Sequence, residues 1–122
     1  MVAGRVGEAK PLGQQALEVA RARKQQGHQA YALQFLGEPA MRGEPLDIDQ
    51  AHTHYQQALA LADALGMRPL QAHCHRGLGT LYATIGQQEQ ARTELSAAIV
   101  LYRAMDITFW LPQTEAALAQ VD

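Results

Sequence analysis

The fold is decided by residues 75–82, which read HRGLGTLY. The Leu78-Gly79 pair in this segment repeats an earlier pair, Leu36-Gly37. A second match has the same spacing, since residues 14–17 and 56–59 both read QQAL. Because several matches share one spacing, the chain is predicted to consist of internal repeats.

A further copy follows at a slightly shorter spacing. Four small or apolar positions carry this match: Ala51, Tyr55, Ala58 and Leu61 return as Ala91, Leu95, Ala98 and Leu101. The two spacings differ by two positions, and the difference falls between Gly43 and Ala51. Insertions in repeats map to loops, so this segment is predicted to be a loop.

Within each copy the apolar residues are spaced by three and four, as on one face of an α-helix. Gly27, Gly43, Gly66 and Gly86 are predicted stop signals. No segment has the alternating pattern of a strand. The sequence therefore predicts an all-α fold of about six antiparallel helices, at residues 8–26, 28–42, 47–65, 68–85, 88–105 and 109–121.

Three residues bear on the ends of these helices. Pro39 falls inside the second helix and removes a backbone donor, so a kink or an early end is expected there. Pro112 is favourable if the last helix begins near Leu111, because a helix start leaves that donor unused anyway. Asp47 is a plausible N-cap for the third helix.

The order of key residues resembles that of a known family. His75, Leu78, Gly79 and Tyr82, followed by Ala91, resemble the tetratricopeptide pattern W-x-x-L-G-x-x-Y…A, with histidine in place of tryptophan. The resemblance implies an α-α superhelix, or solenoid, in which Gly79 faces Ala91 across a helical hairpin. It divides residues 1–122, taken as one domain, into a half repeat at about 8–27, repeats at about 28–66 and 68–106, and a terminal helix at about 109–121.

The repeat is longer than the usual tetratricopeptide period of about 34 residues. Long repeats of this sort resemble the C-terminal sensor arrays of large bacterial ATPase and cyclase signalling proteins, and residues 90–118 are similar to the ends of such arrays. This resemblance implies that the chain is a fragment of a longer protein and serves as its non-enzymatic regulatory arm.

The resemblance also implies where a partner binds. In the family, the first helix of each pair lines a concave face that holds a peptide or protein segment. Carried over by position, the groove residues are Tyr31, Gln34, Phe35, Glu38, Arg42, His73, Arg76, Thr80, Thr84 and Gln113. Their mixture of aromatic, arginine, amide and hydroxyl groups suits peptide recognition, although an ordinary solvated helix face is nearly as good an interpretation. The groove lacks the basic cluster expected of a clamp for a C-terminal carboxylate.

The histidines raise the question of a metal site. His52 and His54, like His73 and His75, are two residues apart, which places them about 200° apart around a helix. Because helical zinc pairs use a spacing of four, neither pair is expected to bind a metal. One member of each pair is expected to pack inside and the other to face water, and no metal or other cofactor is predicted.

Two other features have competing interpretations. Cys74 is the single cysteine and aligns with Ala32, which favours a buried core thiol over a catalytic nucleophile. Phe109 and Trp110 form an aromatic pair before the last helix. This pair either caps the core or offers a surface to a partner.

Composition limits the class of function. The formal net charge is -2 and the few basic residues are scattered, which does not favour a nucleic-acid partner. With 48% hydrophobic residues but no long apolar run, a folded protein without membrane contact is expected. The single cysteine fits a reducing compartment, so the protein is expected to be cytoplasmic.

The sequence thus favours a protein that binds a protein or peptide segment and is not an enzyme. The alternative is a structural module that self-associates, for instance as a homodimer, through the exposed ends of its repeats. A metalloprotein or enzyme is the third hypothesis, and stoichiometric zinc would favour it.

Overall fold

The computed structural model describes the backbone of residues 2–42 and 48–121, and the side chains of residues 11–36 and 48–121. All regular structure in these residues is helical, which confirms the all-α expectation, and no strand occurs among them. The helices are α1 (Val2–Ala22), α2 (Gln26–Arg42), α3 (Ile48–Leu65), α4 (Arg68–Thr84), α5 (Gln88–Ala104) and α6 (Leu111–Val121).

The helix boundaries lie within two residues of the predicted ones, except those of α1. Helix α1 begins earlier than predicted, and Pro11 lies inside it. Helix α2 continues through Pro39 to Arg42, its predicted last residue, so of the two effects expected of Pro39 the early end does not occur. The low helix propensity of proline is outweighed here, because α2 packs against α1, α3 and α4 and tertiary packing supplies most helix stability. Helix α6 begins at Leu111, as the position of Pro112 requires, whereas Asp47 and Gly43 lie outside the described residues.

Four helices end in the same way, with one residue in the left-handed conformation. Gly66 and Gly86 have φ of 67° and 81° at the ends of α3 and α4, which confirms both as stop signals. Lys24 and Asp106 adopt the same conformation, with φ of 56° and 57°, after α1 and α5. Gly27 is not a stop, since it is the second residue of α2.

The hydrogen bonds at these ends form a Schellman motif, in which a left-handed residue lets two backbone N–H groups satisfy the last carbonyls of the helix. After α4, for example, Gln87 N–H donates to the carbonyl of Tyr82 at 2.9 Å and Gly86 N–H donates to that of Ala83 at 3.3 Å. The equivalent bonds occur after α1, α3 and α5. The chain therefore leaves each of these four helices within a few residues.

Helix packing follows chain order, with a second set of contacts between alternate helices. Each helix packs on the next one, and α4 also contacts both α2 and α6. Within the described residues, α1, α3 and α5 make no such contacts with one another. The chain direction reverses between α4 and α5, because His73 meets Tyr102 while Gly79 meets Leu95.

Small residues allow the helices to approach closely. A Cβ added to Gly79 would lie 2.6 Å from Leu95 Cγ and 3.2 Å from the backbone nitrogen of Leu95. Leu95 is one helical turn beyond Ala91, the residue expected to face Gly79. Ala91 itself is fully buried and packs with Leu95, Val121 and Tyr82. The close approach expected at Gly79 is therefore present, and its described contacts are with Leu95.

Candidate peptide-binding site

Four side chains meet beside α4, and we call them the His73 cluster: His73, Arg76, Tyr102 and Trp110. The Tyr102 hydroxyl lies 2.7 Å from His73 Nδ1 and accepts the Nε–H of Arg76 at 3.1 Å. The guanidinium carbon of Arg76 lies 4.2 Å from the centre of the Trp110 ring, well within cation–π range. The His73 ring packs edge-on against Trp110, with 5.8 Å between their centroids.

The protons of this cluster can be assigned from its donors and acceptors. Arginine can only donate, so the Tyr102 oxygen accepts from Arg76 and its own hydrogen is available for His73 Nδ1. Burial, aided by the positive charge of Arg76, lowers the pKa of His73 below its ordinary 6.5, so the ring is neutral at pH 7. Burial raises the pKa of Tyr102, which keeps the hydroxyl protonated. The cluster thus carries a single positive charge, on Arg76.

Three members of the His73 cluster lie on helices, and the fourth directly precedes one. His73 and Arg76 are three residues apart on α4 and so lie on one face of that helix. Tyr102 is fully buried in the last turn of α5. Trp110 immediately precedes α6, where its carbonyl accepts the Oγ1–H of the buried Thr114 at 2.7 Å and the Thr114 backbone N–H at 3.1 Å.

The two neighbouring aromatics have different environments. Trp110 is half-buried and packs against the core cluster that contains Ala72 and Tyr102. Phe109 touches the Trp110 ring edge-on, at 4.9 Å between centroids, yet remains 71% exposed. Trp110 therefore has the expected core-capping position, while Phe109 has the exposure of a surface residue.

The groove residues implied by the resemblance are only partly brought together. His73 and Arg76 join the same cluster, as described above. Thr80, Thr84 and Gln113 are exposed, and each threonine hydroxyl donates to the carbonyl four residues earlier on α4. On α2, Gln34 is half-buried, while Tyr31 and Phe35 are exposed and line a groove shared with α1. The side chains of Glu38 and Arg42 lie outside the described residues.

The expectation that one histidine of each pair packs inside and the other faces water is wrong. His52, His54, His73 and His75 are all half-buried, because α3 and α4 have neighbouring helices on more than one side. His75 Nδ1 lies 2.5 Å from Glu94 Oε2, and His52 Nε2 lies 3.2 Å from the Tyr82 hydroxyl. In residues 11–36 and 48–121, no three His, Cys, Asp or Glu side chains are grouped to hold a metal ion.

Cys74 is a core residue, as its alignment with Ala32 predicts. It is fully buried and belongs to the same core cluster as Ala32. Burial, reinforced by the negative charge of Asp63, raises the pKa of the Cys74 thiol to about 12. A thiol in this state stays protonated at neutral pH and lacks the thiolate character of an activated nucleophile.

Sequence reasoning missed the part played by Tyr102 and Trp110. Tyr102 fits the apolar stripe of α5, and its periodicity gave no sign that its hydroxyl would join His73 to Arg76. Tyr102 is 29 positions from His73 and 26 positions from Arg76 in the chain, so only the packing of α4 on α5 reveals the contact.

Comparison with protein-family models, curated proteins and solved structures found no match to this chain. Among the helices of the described residues, none has both the length and the apolar composition needed to cross a membrane.

Proposed function

We propose that the chain is a tetratricopeptide-like superhelix that binds a peptide or protein segment on one surface of α2, α4 and α6. The superhelix is supported by the two nearly equal repeat spacings in the sequence and by the contacts that α4 makes with α2 and α6. It is supported further by the close approach of Gly79 to Leu95, because small residues at the hairpin crossing are typical of such repeats.

The His73 cluster is the observation that carries the binding proposal. Arg76 lies over the Trp110 ring, and its Nε–H is already held by Tyr102. A guanidinium fixed in this way loses little conformational entropy when a ligand binds. Its two terminal nitrogens provide four further N–H donors, which suit a peptide carbonyl or a carboxylate. Arginine and tryptophan are also the side chains most often found at binding hot spots.

The residues around the cluster favour an extended ligand lying along α4. Thr80 and Thr84 continue the α4 face with small, exposed side chains, which leave space for a backbone to approach. Phe109, exposed beside Trp110, extends the aromatic part of the surface. Gln113 is exposed near the start of α6, where an amide can bind a second point of the ligand backbone.

The proposal is for binding without catalysis. By resemblance to the long-period repeats of bacterial signalling proteins, it extends to a cytoplasmic regulatory arm in which the bound segment reports on a partner. The His73 cluster supports the binding step, whereas the wider role rests on the sequence resemblance.

Selection from a displayed library of random peptides, followed by titration calorimetry of the selected peptides, tests the binding proposal. Thr80→Arg places a bulky side chain on the surface, and Thr93→Arg is its matched control on α5. Both threonines are exposed and donate to the carbonyl four residues earlier, at 3.0 and 3.1 Å. Arg76→Lys keeps the charge but loses the planar stacking group.

We expect Thr80→Arg and Arg76→Lys to weaken peptide binding at least tenfold, or about 1.4 kcal/mol, while Thr93→Arg leaves it unchanged. The proposal is wrong if no binding peptide is recovered. It is also wrong if Thr80→Arg and Thr93→Arg have equal effects.

A further inference from the structure

An open groove runs between α1 and α2, away from the His73 cluster. Its volume is about 680 Å³. Four large apolar side chains line it with exposures of 42–61%: Leu12, Val19, Tyr31 and Phe35. Such a concentration of exposed apolar residues indicates an interaction surface.

The internal repeat shows what kind of element fills a groove of this kind. The lining residues of the α1/α2 groove have equivalents one repeat later, and four of these equivalents lie in one core cluster: Ala16, Ala20, His28 and Ala32 correspond to Ala58, Ala62, Leu70 and Cys74. All four equivalents, on α3 and α4, are fully buried. They share a core cluster with Leu33 and Leu36 of α2. The α3/α4 groove is therefore filled by a helix, and that helix is α2.

Helix α6 is the repeat equivalent of α2 that can fill the α1/α2 groove of another copy. Leu118 and Ala119 occupy the repeat positions of Leu36 and Gly37, two repeats further along the chain. Together with residues of α5, they line a second open groove of about 370 Å³, in which Val100 is 65% exposed. By the same spacing Leu33 corresponds to Glu115, so the equivalent face of α6 is accessible and carries one leucine and one carboxylate.

The second groove has an equivalent inside the chain as well. Leu118 and Ala119 correspond to Leu78 and Gly79 of the preceding repeat, and Gly79 is covered there by Leu95 of α5. The helix that belongs over α6 is therefore an equivalent of α5. Helix α1 is such an equivalent, because its QQAL segment at 14–17 matches residues 56–59 of α3, which in turn match α5.

We propose that copies of this chain associate head to tail, with α6 of one copy in the α1/α2 groove of the next. In the same interface, α1 of the next copy covers the α5/α6 groove of the first. The two open grooves are thereby closed together, and the alternation of helices continues across the boundary. The contact joins two different surfaces, so it is heterologous and leads to chains or closed rings of copies.

One ion pair enters this contact. Glu115 is the acidic side chain in the α5/α6 groove, and Arg103 of the same groove donates to it at 2.6 Å. The α6 face therefore brings a neutralised pair to the interface, not an isolated carboxylate. Tyr31 and Phe35 belong both to the α1/α2 groove and to the surface proposed to bind peptides, so the test uses residues outside that surface.

The test is sedimentation velocity of the whole chain over a wide range of concentration, with one charged substitution in each groove. Val19→Glu disables the α1/α2 groove and Val100→Glu disables the α5/α6 groove. Both side chains are exposed, at 43% and 65%, so the fold tolerates the change. Leu65→Glu, at an exposed position of α3 outside both grooves, is the control. Circular dichroism checks the helix content of each variant.

We expect the wild type and Leu65→Glu to form larger species as concentration rises, and each groove variant alone to stay monomeric. An equal mixture of Val19→Glu and Val100→Glu should form a heterodimer and stop there, because one intact groove of each kind remains. A monomeric wild type overturns the proposal, and so does a mixture that remains monomeric. Loss of association in only one groove variant also overturns it, since that result indicates a symmetric contact or another occupant.

Discussion

Replacing Gly79 with alanine tests the close helix approach on which the fold depends. The added Cβ would lie 2.6 and 2.7 Å from Cγ and Cδ2 of Leu95, distances that real Cβ atoms essentially never show. It would also lie 3.2 Å from the Leu95 backbone nitrogen. The leucine side chain can rotate, but the nitrogen moves only if α5 moves. The substitution therefore forces α4 and α5 apart.

The expected cost follows from two opposing effects. Overpacking a well-packed core costs about 1–3 kcal/mol. Alanine in place of glycine inside a helix returns about 1 kcal/mol through its higher helix propensity. Because a backbone atom is part of the clash, we take the upper half of the first range. The net loss in the free energy of unfolding is then about 1–2 kcal/mol.

The measurement is urea unfolding followed by far-ultraviolet circular dichroism. Gly27→Ala in α2 is the control, since its Cβ would meet only Met67 atoms at 3.9 and 4.0 Å, an ordinary contact. This control should leave stability unchanged or raise it by up to about 1 kcal/mol. The slope of each unfolding curve shows whether the variants still unfold as one unit.

A double-mutant cycle with Leu95→Ala identifies the clash itself. Leu95→Ala alone costs about 2–5 kcal/mol by leaving a cavity. In that background the two clashing carbons are gone, so Gly79→Ala should cost less, with a coupling of about 1–2 kcal/mol. The argument for a close α4/α5 approach is refuted if Gly79→Ala is as stable as the wild type. It is also refuted if the cost is the same with and without Leu95.

Two further predictions concern titration and backbone conformation. Because the folded chain holds the pKa of His73 below 6.5, the unfolded chain binds more protons there, and the free energy of unfolding should fall as pH drops through 6.5. Arg76 and Tyr102 face the His73 ring. The variant His73→Gln should remove this part of the pH dependence of stability, as measured by urea titrations. An unchanged pH dependence would contradict the lowered pKa of His73. Gly86→Ala should destabilise by about 1 kcal/mol, because alanine is strained at φ 81°, and Asp106→Gly at φ 57° should stabilise by a similar amount. Thermal unfolding measures both, and equal signs would show that backbone strain is not the cause.

The helices were predictable where local signals agreed. The spacing of Ala51, Tyr55 and Ala58 placed α3, and Gly66 ended it in the left-handed conformation that glycine adopts without strain. The effect of a single proline was harder to predict. A kink or an early end was expected at Pro39, yet α2 continues to Arg42, its predicted limit, with α1, α3 and α4 packed against it.

The candidate site was less predictable. His73 and Arg76 were named through the family resemblance, by their positions on the first helix of a repeat. Their partners Tyr102 and Trp110 come from other parts of the chain, and the sequence offered no rule that joins them. The half-burial of all four paired histidines was also missed. A helix considered alone has a fully solvent-exposed face, whereas neighbouring helices cover part of that face in the folded chain.

The sequence by itself determined the repeat spacing, the number and approximate limits of the helices, and the small residues at Gly79 and Ala91. These features are local or periodic, so they appear in the order of residues without knowledge of distant contacts. The tertiary structure alone decided that Leu95 lies against Gly79, that Tyr102 joins His73 to Arg76, and that the α1/α2 groove stays open. Such features depend on how side chains far apart in the chain share space, which is settled only when the helices pack.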